Sequence, residues 1–99
     1  MSQAVVNALR VLEALAEAGL EGLTQAVLAA QVQTSEATVS RLVDTLEAEG
    51  GYVERTARGL RLGKKVVWLW KSYRVMRKAD GVAVERDLRE TALEEEVEG

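Results

Sequence analysis

Neither cysteine nor histidine occurs in the 99-residue sequence, and phenylalanine is missing as well. Without thiolate or imidazole there are no disulfides, no Cys/His metal sites and no Ser-His or Cys-His nucleophile pair. Carboxylate chemistry is the one common enzymatic route left open. The clustered Glu94, Glu95 and Glu96 lack the apolar enclosure that would tune them as acid or base, so an enzyme is not expected. Aromatic residues number only two Trp and two Tyr, so the core must be built from Leu, Val and Ala, a composition that favours helices over sheets. No apolar run is long enough to span a bilayer, and the amino terminus has no basic segment followed by an apolar one. These absences lead to the expectation of a soluble, cytoplasmic protein with no membrane, metal or cofactor partner.

The length suits one domain plus a tail. The formal net charge of −3 argues against a polyanion partner only until its distribution is read along the chain. Residues 1–80 carry a net +2 and residues 81–99 a net −5. Between Arg55 and Lys78 there are nine basic residues and no acidic one. A local positive field of this kind is what a phosphate backbone responds to.

Periodicity and punctuation give the order of elements. Ser2 is placed to cap a first helix over about residues 3–18, with Val5, Leu9, Leu12 and Ala16 on one face and Gly19 ending it. Gly22 marks a turn, and Thr24 caps a short second helix with the apolar set Ala26, Val27, Leu28, Ala29 and Ala30, ending near Gln31. Ser35 caps a third helix over 35–49, with Val39, Leu42, Val43 and Leu46 inward and Ala37, Thr38, Ser40, Arg41, Asp44 and Thr45 outward. Residues 52–55 read as a strand, Thr56-Ala57-Arg58-Gly59 as a reversal and 60–62 as the returning strand, together a basic hairpin. A basic amphipathic helix follows from Lys64 to about Ala79, carrying Val66, Leu69, Trp70, Tyr73 and Met76. A weaker acidic helix is expected through Val84, Leu88, Ala92 and Leu93.

The expected fold class is therefore mainly α: a winged helix-turn-helix, with a three-helix core and β-hairpin wing in residues 1–63 and C-terminal helices in 64–99. A major groove admits one helix, and polar residues on that helix's first turns reach base edges. The candidate DNA contacts are Ser35, Thr38, Ser40 and Arg41 of the third helix, Arg55, Arg58 and Arg61 of the hairpin, Thr24 at the second helix's amino end, and Lys64 and Lys65. Glu36 is read as a favourable charge at a helix amino terminus. Trp68 and Trp70, two positions apart, cannot both enter one core. A homodimer through Val66, Trp68, Leu69, Trp70, Tyr73 and Met76 is expected, with a folded-back fifth helix as the competing explanation.

Five separated patches carry a family resemblance: Ala8-Leu9-Arg10-Val11-Leu12-Glu13-Ala14-Leu15, Gly22-Leu23-Thr24, residues 35–47, Tyr52-Val53-Glu54-Arg55 and Leu60-Arg61-Leu62-Gly63. In this order and spacing, over roughly residues 3–70, the sequence resembles the amino-terminal domain of IclR-type transcriptional regulators. The resemblance implies that the third helix is the recognition helix and that the segment from Lys64 is a linker helix pairing two subunits. It covers no part of the effector-binding domain that usually follows, so no small-molecule effector is expected. The sequence departs from the family pattern at Gln33-Thr34, where a glycine and an apolar residue are usual, so Val32 is expected to take the buried place. It departs again at Gly50-Gly51, which has one glycine more.

The resulting functional expectation is a sequence-specific double-stranded-DNA-binding transcriptional regulator. The alternative is a winged-helix protein-interaction module or adaptor with little DNA specificity, since one fold supports several functions. Residues 81–99 are acidic enough to compete with phosphate for the basic surface.

Overall fold

The computed structural model describes residues 2–78. Helices α1 (Gln3–Ala18), α2 (Gln25–Val32) and α3 (Glu36–Ala48) are followed by strands β1 (Val53–Thr56) and β2 (Gly59–Leu62) and by α4 (Lys64–Lys78). The order is that of a winged helix, and the elements match the sequence expectation to within a residue or two. The chain divides into two units, Met1–Val66 and Val67–Gly99, the division falling inside α4. The acidic helix expected through Val84, Leu88, Ala92 and Leu93 lies outside the described residues.

In the first unit, Val11 and Leu15 of α1, Leu28, Ala29 and Val32 of α2, Val39 and Val43 of α3, Val53 of β1 and Leu60 of β2 form one buried cluster. Aliphatic residues fill it, as the scarcity of aromatics requires. Fully burying a Leu or Val contributes about 1.5–3 kcal/mol.

Two expectations, about the face and the cap of α1, are corrected. The buried stripe of α1 is Asn7, Val11 and Leu15, with Leu12 beside it, whereas Val5 and Leu9 are 53% and 52% exposed and Ala16 is exposed. Both sets keep helical spacing. The inward one includes a polar residue because Gln3 Nε2 donates to Asn7 Oδ1 at 3.0 Å and satisfies it. Ser2 occupies the N-cap position but makes no side-chain capping bond; Val6 N–H donates to the Ser2 carbonyl instead. In α2 only Leu28, Ala29 and Val32 are buried, and Ala26, Val27 and Ala30 face outward, because a two-turn helix crossing the core presents a single stripe.

Val32 takes the buried place, as expected from the departure at Gln33-Thr34, and it does so within the last turn of α2. Gln33 then caps the helix in the left-handed conformation, at φ 63° and ψ 50°, with its N–H directed to the Ala29 and Ala30 carbonyls. A side chain is disfavoured there by roughly 1–2 kcal/mol. We therefore expect Gln33→Gly to stabilise the fold by about 0.5–1 kcal/mol, the strain relief exceeding the added chain entropy. A denaturant midpoint equal to or below that of the parent would contradict this.

The wing is an antiparallel pair in the register Val53↔Leu62, Glu54↔Arg61, Arg55↔Leu60 and Thr56↔Gly59. Thr56 closes the reversal: its Oγ1 accepts from the N–H groups of Arg58 and Gly59, each at 3.2 Å, and donates to the Gly59 carbonyl at 3.0 Å. The hairpin is joined to the helical core by a third short run. Leu23 and Leu60 exchange both backbone hydrogen bonds, at 2.8 and 2.7 Å. Gly22, at φ 71°, lies so near this bridge that a Cβ would stand 2.3 Å from the Leu60 carbonyl oxygen.

In the second unit α4 continues to Lys78, with Trp70 and Tyr73 stacked at a centroid distance of 6.0 Å. Among the described residues no helix is long and apolar enough to cross a membrane.

Candidate nucleic-acid interface

Ser35 and Thr24 start their helices as their chemistry suggests. Ser35 is extended at the α3 N-cap, and its Oγ accepts from Thr38 N–H at 3.1 Å while donating to Thr38 Oγ1 at 2.9 Å. Thr24 Oγ1 accepts from Val27 N–H at 3.3 Å at the head of α2. The two helix starts are linked by Gln25, whose Nε2 donates to the Glu36 carbonyl at 3.1 Å. The sequence reading gave Gln25 no role. Its position one residue after a cap was the only signal, and its partner is eleven residues away.

Val39 and Val43 turn into the core, which leaves the opposite side of α3 to solvent. Arg41 is exposed there and is the only cation of the helix. Its guanidinium has no hydrogen-bond or ion-pair partner among the described residues; its carbonyl also accepts from the Thr45 hydroxyl, at 3.1 Å. Thr38 and Ser40 are half-buried beside it. Lys64 is exposed at the first turn of α4, and Lys65 is half-buried with its N–H on the Gly51 carbonyl.

The wing arginines are differently placed. Arg55 reaches back to α3, with Nη2 2.5 Å from Asp44 Oδ1 and Nε 3.4 Å from Glu47 Oε1. Arg58, at the tip, pairs with Glu21 of the 3-10 turn Gly19–Glu21 at 2.9 Å. Arg61 pairs across the hairpin with Glu54, its partner in the register. Asp44 and Glu47 lie three and six positions after Arg41 on the same helix. The structure gives both to Arg55 and shows no ion pair for Arg41 among the described residues.

The residues expected to meet the second subunit all lie on α4. Trp68, Leu69, Trp70, Tyr73 and Met76 are exposed, together with Val67 and Val75, and Val66 is half-buried. Among the described residues no group of three or more acidic side chains is placed to hold a metal ion.

A capped helix with a free polar side, preceded by a short helix it is tied to and followed by a cationic hairpin, defines a winged helix-turn-helix DNA-binding domain. Residues 4–57, spanning α1, α2, α3, β1 and the start of the reversal, match the IclR helix-turn-helix domain, and the chain belongs to that family of DNA-binding transcription regulators. No curated protein and no solved structure gives a match.

Proposed function

We propose that this chain is a sequence-specific regulator that reads duplex DNA as a homodimer and performs no covalent chemistry. Residues 1–63 are the reading module, and residues 64–99 pair the subunits and carry the acidic tail. Helix α3 enters the major groove, where Arg41 reads a base edge, guanine O6 and N7 being the acceptors best matched to a guanidinium. Ser35, Thr38 and Ser40 line the same approach. Thr24, Arg55, Arg58, Arg61, Lys64 and Lys65 are assigned to the phosphate backbone or the adjoining minor groove. On this reading the protein acts in the cytoplasm. The single observation that carries the reading is Arg41: the one cation of α3, exposed on its outward side, with no side-chain partner among the described residues.

The test is enrichment of a duplex pool on the purified protein, followed by titration of an enriched sequence at several salt concentrations. Recovery of a two-fold-related site, with log affinity falling linearly with log salt, is the expected result. Weak binding that favours no sequence would favour the adaptor reading instead.

Pairing through α4 is supported by its exposed Leu69 and Met76, seven positions apart and so on one face of the helix, apolar surface that a solvated helix does not need. Sedimentation velocity is expected to give a dimer at micromolar concentration and a monomer for Leu69→Glu. A parent protein that sediments as a monomer would remove this part of the proposal.

A further inference from the structure

All three wing arginines are held by carboxylates of this same chain, and the sequence reading missed this because two of the three sets of partners lie outside the hairpin. Glu21 comes from the turn after α1, 37 positions before Arg58. Asp44 and Glu47 stand one turn apart on α3 and take Arg55 between them. These pairs are open to solvent, with Arg58 71% and Glu21 77% exposed, so they add little to the stability of the fold. Their effect falls on binding. A guanidinium already facing a carboxylate neutralises a phosphate only by exchanging partners, and the released carboxylate then stands beside a polyanion.

We infer that Glu21, Asp44 and Glu47 are built-in counter-ions of the wing, which DNA must displace and which hold down its salt-sensitive, sequence-blind binding. The inference rests on the DNA-binding function proposed above and assigns roles in it to three acidic residues. With the wing partly neutralised in advance, a larger share of the interaction falls to α3, whose Arg41 has no such partner among the described residues.

The test compares Glu21→Gln and the double variant Asp44→Asn/Glu47→Gln with charge-matched controls on α1, Glu13→Gln and Glu13→Gln/Glu17→Gln. Both control residues are exposed and make no ion pair among the described residues. Removing acidic charge near the carboxyl end of α3 favours the helix dipole, so the double variant is expected to fold. Affinity for a random-sequence duplex is measured across a salt series.

Glu21→Gln is expected to bind about two- to fivefold more tightly than its control at moderate ionic strength. Its log–log salt slope should steepen by up to about 0.9, the increment for one additional phosphate contact. The double variant should move in the same direction. Variants that match their controls, in a parent protein that does bind DNA with a steep salt slope, would overturn the inference and leave the DNA-binding reading standing. A parent with no salt-dependent binding would overturn that reading, and the inference with it.

Discussion

Arg41→Ala is expected to weaken binding to the preferred duplex by about 10- to 100-fold, the equivalent of roughly 1–3 kcal/mol for one lost bidentate base contact. Preference at one base pair of each half-site should relax at the same time. The side chain is exposed and makes no ion pair among the described residues, so the melting temperature should not move. The comparison with random DNA decides the role. An arginine that reads a base loses far more on the preferred site than elsewhere. Equal losses on both sequences would make Arg41 a phosphate contact, and no loss on either would take α3 out of the groove.

The second large effect concerns the placement of the wing. Gly59 has φ 147°, and a Cβ there would stand 2.6 Å from the Leu23 carbonyl oxygen, which itself accepts from Leu60 N–H. Gly59→Ala is expected to cost about 2–5 kcal/mol, combining backbone strain with a contact that only main-chain movement relieves. Gly19→Ala is the informative contrast. Its φ is 68° and its ψ −148°, a region nearly restricted to glycine, but nothing lies within 4 Å of the added methyl, so only the conformational penalty of about 1–3 kcal/mol remains. Denaturant unfolding of both variants checks the difference. Equal midpoints would show that the approach of Gly59 to Leu23 does not constrain the hairpin.

The parts legible from the sequence were those with local causes. Thr24 and Ser35 begin helices because a hydroxyl at that position satisfies an N–H three residues on, and both form the expected bonds. The inward set of α3 follows from its spacing alone, because Val39, Leu42, Val43 and Leu46 have no competing apolar row. On α1 two apolar rows compete, and the buried one is marked by Asn7, a residue whose burial depends on a partner one turn earlier. The electrostatics of the candidate site were least legible. Counting cations from Arg55 to Lys78 gave the sign of the hairpin correctly but not its balance, since Glu21, Asp44 and Glu47 are brought to it only by folding. The left-handed turn at Gln33 was equally hidden, because Gln is not a residue that announces that conformation.

The bridge between Leu23 and Leu60 bears on how the wing moves. Because the hairpin shares its ladder with the stretch leading into α2, it is no independent flap. Swinging it away would break two main-chain bonds and pull Leu60 out of the apolar centre. The amide hydrogens of these two residues should therefore exchange with deuterated solvent about as slowly as those of the innermost helical turns, and far more slowly than those at the hairpin tip. The finger and the helix pair would then approach a duplex as one stiff body, with little ordering entropy left to lose on contact.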